Sequence, residues 1–213
     1  MWYNCMGQAC SQPLVAERYS GMTRTFRLLL AAVAIAAPLW SSAAAAQPWP
    51  IDPVHSTAQF TARHFGIVPV VGTIPIVKGS VSFNAGSQIP TAVTAQLDAS
   101  KIDTHNDQRD ADLRSEHFFN VGATPTLTFV STKIDGTDPN HFTIDGDLTM
   151  HGQTHPVRLD TRVVGAGKSP RGQSLIAYAA TATIDRTQWG MTYGPMIVGN
   201  SVDLALNVEA AQP

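Results

Sequence analysis

Seven histidines make metal or acid–base chemistry the first question this sequence raises. His151 and His155 are four apart, a spacing that puts two imidazoles on one face of a helix and suits a metal ion. Gly152 and Pro156 make the segment a turn instead, and residues 47–213 contain no cysteine to complete a soft site. A structural or solvent role is therefore expected for the pair, with no metal and no cofactor. The acidic series Asp103, Asp107, Asp110 and Asp112 lacks the spacing and the glycine of a calcium loop. Arg109 and Asp110 read better as charge-assisted anchors for a helix. No G-x-S-x-G elbow, phosphate loop or dinucleotide fingerprint occurs, so no catalytic residue is assigned.

His64 stands apart because of its neighbours. In H-S-T-A-Q-F-T-A-R-H-F, from His55 to Phe65, a strand puts Ser56, Ala58, Phe60, Ala62 and His64 on one face and His55, Gln59 and Arg63 on the other. An inward imidazole usually satisfies itself on a neighbour. The functional alternative is a hydrogen bond to the polar head of a ligand.

The elements that would position these residues alternate apolar and polar side chains with period two, the mark of half-buried strands. Val81 and Phe83, then Val93, Ala95, Leu97 and Ala99, then Leu127 and Phe129 form inward sets. Phe142, Ile144, Leu148 and Met150 follow, with Val157, Leu159 and Val163, then Ile176 to Ile184, then Val202 to Val208. Turns are expected at Asn84–Gly86, Asp135–Asn140, His151–Gln153 and Gly165–Gly167. Asp107 to Ser115 breaks the rhythm and reads as a short helix. About eight antiparallel strands of eight to eleven residues predict an all-β barrel rather than a sandwich. Alanines beside large apolar residues on the inward faces leave either a close-packed core or room for a ligand.

The beginning of the chain reads differently. From Met22, Arg24 and Arg27 precede an apolar run that ends in A-A-A-A-Q, the layout of a cleaved export signal. The run is too short for a membrane-spanning helix and Pro38 interrupts it. We expect residues 1–21 to be an upstream extension, 22–46 a signal peptide and 47–213 one domain, located in the periplasm without a stable membrane anchor. Residues 47–213 carry eleven Lys and Arg against fifteen Asp and Glu, scattered rather than clustered. Nucleic acid is accordingly not an expected partner. A homodimer is compatible with the sequence, although no residue argues for one.

Several segments together resemble a known family. I-D-P-V-H-S at 51–56, F-T-A-R-H-F-G-I at 60–67 and K-G-S-V-S-F at 78–83 come first. R-D-A-D-L-R-S-E-H-F-F at 109–119, G-D-L-T-M-H-G-Q-T-H-P-V at 146–157 and I-D-R-T-Q-W-G-M at 184–191 follow. In order and spacing, residues 49–211 resemble the YceI-like family of lipocalin-like, polyisoprenoid-binding bacterial proteins. The resemblance implies an extended eight-stranded antiparallel barrel with a helix beside it and a channel for an isoprenoid or fatty chain. Two departures stand out: Asp112 replaces a usual His, and Thr73–Ile76 replaces a more aromatic stretch. The expected ligand contacts are Phe60, His64, Phe65, Phe83, Phe129, Leu148, Met150, Tyr178, Trp189 and Met191, with His64 at the head group. The expected function is binding, carriage or sequestration of an apolar ligand. The alternatives are an enzyme that acts on a lipid or amide through His64 and a stress-response partner with a filled core.

Overall fold

A computed structural model describes residues 48–213. The expected extension and signal peptide, residues 1–46, lie outside the described residues. The strands are β1 (Trp49–Pro50), β2 (Thr57–His64), β3 (Val68–Ile74), β4 (Ile76–Phe83) and β5 (Pro90–Asp98). After a helix α1 (Asp107–Arg114) come β6 (Thr126–Asp138), β7 (His141–Met150), β8 (Gln153–Lys168), β9 (Ser174–Asp185) and β10 (Val198–Ala211). Single turns of tight helix occupy Ala99–Lys101 and Arg186–Trp189.

Pairing is antiparallel throughout, in the order β1-β4-β5-β6-β7-β8-β9-β10-β2-β3. The two ends of that order meet. β3 and β4 are separated only by Pro75, so residues 68–83 make one stave whose first half pairs with β2 and whose second half pairs with β5. β1 and β2 are likewise two parts of one stave: Trp49 lies opposite Val81 and Ile51 opposite Ala210, while Ala58 lies opposite both Ile74 and Leu206. Ten strands therefore close as eight staves, which is the predicted barrel with two staves interrupted. Each interruption has a chemical reason. Pro75 has no N–H for the ladder, and its carbonyl accepts from Asp98 N at 3.1 Å. At the other break, Asp52 Oδ1 accepts from Val54 N at 2.7 Å, an Asx turn that takes residues 53–56 out of register.

Within the staves, the alternation becomes burial. In β7, Phe142, Ile144, Gly146, Leu148 and Met150 are buried and the intervening residues are not. The β7–β8 turn is the tight hairpin His151–Gly152, with both residues at positive φ (51° and 75°) and Met150 opposite Gln153, as a two-residue turn that matches strand twist requires. Two expected turns are corrected. Gly165–Gly167 lies inside the sixteen-residue β8, where the register shifts between Val163 and Gly165, and the chain reverses at 169–173 instead. Glycine in a strand marks a bulge as readily as a turn. Similarly, β6 continues to Asp138, leaving only Pro139–Asn140 as the reversal.

The helix forms where predicted. Asn106 caps it by accepting from Arg109 N at 2.9 Å, acids occupy its first turn and Arg114 its last. Arg109 and Asp110 converge on Thr104: buried Asp110 Oδ1 accepts from Thr104 N (2.9 Å) and Oγ1 (2.5 Å). Arg109 donates to Thr104 Oγ1 and to its carbonyl, each at 2.7 Å. Thr73 and Asp103 exchange backbone hydrogen bonds of 2.8 and 3.0 Å, which ties this loop, and so the helix, to β3. Helix α1, residues 115–125 and residues 186–197 lie at one end of the barrel; short turns close the other.

Candidate functional site

The interior is hollow. A cavity of about 200 Å³ runs along the barrel and takes its walls from all eight staves. On β10 it is lined from Val198 to Val208, eleven residues or roughly 35 Å of strand contour. At the turn end the lining includes Pro90 and Tyr178, and at the capped end Leu113, Phe118, Phe119, Arg186 and Met191. The result is a thin passage rather than a round chamber.

Alanines and glycines make that space. Ala58, Ala62, Ala95 and Ala180 all lie on the wall. Two aromatic rings lie flat along it because glycines face them. A Cβ on Gly146 would stand 2.3 Å from Phe129 Cζ, and one on Gly72 would stand 2.4 Å from Phe60 Cζ. Neither position has room for any side chain, so each glycine sets where its ring rests.

Of the ten expected contacts, Phe60, Phe129, Leu148, Met150, Tyr178 and Met191 line the cavity. Four do not. Phe83 is buried behind the wall, edge-on to Trp49 with ring centroids 5.2 Å apart and stacked on Tyr178 at 6.5 Å. Trp189 is 1% exposed and plugs the capped end, donating its Nε1–H to Leu148 O at 2.9 Å. His64 and Phe65 are exposed at the tip of the β2–β3 hairpin, their rings 4.2 Å apart. Strand parity holds through Ala58, Phe60 and Ala62, but parity assigns a face and not a height along the barrel. His64 stands past the last inward residue, so its expected place on the inner face is corrected. No histidine lines the cavity among the described residues.

The spaced pair His151 and His155 is held by the scaffold. His151 Nδ1 lies 2.8 Å from Trp189 O, and His155 meets the Trp189 ring edge-on at 5.2 Å. Both brace the plug. Tyr178 donates its hydroxyl to Gln88 O at 2.8 Å, and burial pushes its phenol above the ordinary range, which keeps it a neutral donor.

Arg186 is the functional residue that the sequence reading missed. It is 4% exposed and bounds the cavity. Its guanidinium donates to Met191 O, to Val198 O at 2.9 Å and to Gly199 O at 3.1 Å, and lies 5.9 Å from the Phe118 ring centre. No ion pair accompanies it among the described residues. Burial lowers its pKa, partly offset by Asp185, whose carboxylate turns to Thr187 instead. The cation therefore holds one carbonyl of the capping loop and two at the start of β10, joining the loop to the barrel, rather than a counter-ion. A signal existed: the inward series Ile176, Tyr178, Ala180, Ala182, Ile184 reaches Arg186 at its next step.

The comparisons with known proteins agree with this architecture. Residues 49–210 match the model of the YceI-like domain. A UPF0312 protein of Ectopseudomonas mendocina is 31% identical over 182 residues, 84% of this chain and 95% of the relative. A UPF0312 protein of Pectobacterium atrosepticum is 30% identical, with 90% of this chain and 99% of the relative covered. Among solved structures, Burkholderia cenocepacia BcnA superposes with a TM-score of 0.66 at 19% identity, covering 75% of this chain and 99% of that one. A polyisoprenoid binding domain from Saccharophagus degradans superposes at 0.56 and 13% identity, covering 78% and 98%. At these identities the structural matches establish the fold.

Proposed function

From the premise that this chain belongs to the YceI-like family, we propose that it binds one lipid-like molecule, an isoprenoid or fatty chain, along its barrel channel. The protein carries or sequesters that molecule after export to the periplasm. The observation that carries this reading is the channel itself: long, thin and walled by carbon on every stave. The polyisoprenoid-binding description of the Saccharophagus degradans domain supports the choice of ligand class. Ile74 and Ile76, which stand in the stretch expected to be more aromatic, both line the wall and suit a branched aliphatic chain. Asp112, the other departure, is exposed on the helix and away from the wall.

The energetics follow from buried area. Each methylene taken from water contributes about 0.8 kcal/mol, roughly a fourfold gain in affinity until the channel is full. Chain length then governs affinity, and head-group contacts add discrimination.

Native mass spectrometry of the protein purified from its own host tests the reading. A co-purifying apolar mass is expected on the wild-type protein and on a conservative surface variant, but not on Ala180→Phe, whose ring fills the passage. A wild-type protein that carries no apolar guest and takes up none when offered prenyl or fatty chains overturns the proposal. So does an Ala180→Phe variant that binds as the wild type does.

A further inference from the structure

The sequence reading assigned Phe65 to the channel, and the structure puts it 59% exposed at the tip of the β2–β3 hairpin. It is not alone. Ile67 and Val68 on the same hairpin are 75% and 54% exposed, and Tyr193, Met196 and Ile197 on the capping loop are also exposed, Met196 at 85%. The two tips are joined: Phe65 N donates to Ile197 O at 2.8 Å, and His64 pairs with Val198. Six of the eleven large apolar residues exposed on the described surface thus sit at this one end, and none sits in the turns 84–89, 139–140 or 169–173 of the other. Scattered apolar exposure is ordinary, but this concentration is not.

Phe65 is also in an unfavourable place for a phenylalanine. Its φ is 51°, next to Gly66 at 69°, in a tight turn closed by Ile67 N donating to His64 O at 3.0 Å. Asn or Gly fills such a position with less strain. An aromatic ring there costs stability and stays mostly exposed in the free protein.

The two tip segments themselves carry no acid. No Asp or Glu occurs between residues 53 and 97, or between 186 and 202. The hairpin carries Arg63 and His64 immediately before Phe65, and His117 stacks on Tyr193 with ring centroids 4.1 Å apart. Acids at this end lie outside the two tips: Asp103, Asp107, Asp110, Asp112 and Glu116 on the helix and the segments beside it, with Asp110 buried against Thr104, and Asp185 at the end of β9, where it turns to Thr187. Exposed aromatic and aliphatic tips with an arginine at their base match a membrane interface that bears anionic headgroups.

We propose that this end of the barrel, through Phe65, Ile67, Val68, Tyr193, Met196 and Ile197 with Arg63 at its base, docks reversibly on an anionic lipid bilayer. The docked face is the one that residues 115–125 and 186–197 close over the channel. An insoluble chain then passes between bilayer and channel without crossing water. The exchange role rests on the proposed ligand reading; the docking surface does not.

Vesicle flotation with the exported form of the protein separates the two. Flotation is expected with vesicles of phosphatidylglycerol and phosphatidylethanolamine, and much less with phosphatidylcholine alone. The Phe65→Ser, Met196→Ser double variant should lower the bound fraction about tenfold or more. Arg63→Gln should lower it about fivefold on anionic vesicles and little on neutral ones. Val164→Ser, an equally exposed valine on β8, should change nothing. Phe65→Gly relieves the turn, so it keeps the fold and still loses flotation. Ala180→Phe should float as the wild type does, so an empty channel and a failed docking surface give different results. The proposal is overturned if the wild-type protein does not float. It is overturned equally if the double variant floats normally, or if that variant only dissociates a dimer in sedimentation, which would make the patch a contact between two copies of the chain.

Discussion

The two ends of the barrel solve the problem of closing a hollow sheet in opposite ways. At the turn end, closure is aromatic and local. Trp49 packs on Phe83, Phe83 on Tyr178 and Tyr178 on Phe142, while reversals such as Pro139–Asn140 need only a few residues. At the other end, closure uses long connections of irregular backbone, and their carbonyls need donors. One buried arginine bonds Met191 O in such a connection and Val198 O and Gly199 O at the start of β10, and Trp189 seals the space against Leu148 O. The first arrangement spreads closure over a chain of four rings. The second relies on arginine-to-carbonyl bonds, from Arg186 and, beside the helix, from Arg109 and Arg114, and it also displays the apolar tips. Under the proposed function, the end that passes the guest would benefit from closure by a few separable polar contacts, which exchange with water more readily than packed rings.

This contrast can be broken most directly at Arg186. Arg186→Leu leaves one buried and two part-buried carbonyls without their donor and should lower unfolding stability by roughly 2–4 kcal/mol, read as a shift in urea midpoint. A loss below about 1 kcal/mol would mean that the capping loop does not depend on its cation. The corresponding polar contact at the turn end is the Tyr178 hydroxyl on Gln88 O. Tyr178→Phe keeps the ring and its stacking, so about 0.5–1.5 kcal/mol is expected from the same measurement. A larger loss would make the turn end as dependent on polar pinning as the capped one.

The smallest effect belongs to the exposed clasp where the interrupted first stave meets β10. His55 Nδ1 lies 2.8 Å from Asp52 Oδ2 and 3.8 Å from Glu209 Oε1. The hydrogen bond with Asp52 raises the His55 pKa above 6.5, and the bond with His55 lowers that of Asp52 below 3.8. The His55 contribution is complete below pH 6.5 and is lost as pH rises through its folded value; the Asp52 contribution is lost as pH falls through its own. The clasp therefore contributes most between about pH 4 and 6.5. The melting-temperature gap between wild type and His55→Ala should be small, widest in that window and closed by pH 9. A gap that widens with rising pH contradicts the sign.

Much of this fold was legible along the chain because burial in a barrel wall is a period-two property. Residue parity alone placed Ala95, Phe129, Leu148, Met150, Tyr178 and Ala180 on the inner face, and the Asn106-to-Arg114 pattern marked the helix. The resemblance to the family was carried by the same stretches. What parity lacks is height and closure. His64 shares a face with Phe60 and yet stands beyond the wall, and Gly165 looks like a turn residue although β8 needs a bulge there. Phe83 is inward but is separated from the channel by Trp49 and Tyr178, which approach it from other staves.

The chain by itself determined the alternation, the tight turn at His151–Gly152 and the short helix after Asp107, because each rests on side chains a few residues apart. Only the closed barrel decided that the interior is hollow, since volume depends on what lies across from each alanine and on Gly72 and Gly146 facing Phe60 and Phe129. It also decided that Arg186 turns inward to donors' work on Met191, Val198 and Gly199, and that Phe65 meets Ile197 on an exposed face. Those contacts join residues more than a hundred positions apart or bend a loop back on itself, and no local pattern encodes the distance between them.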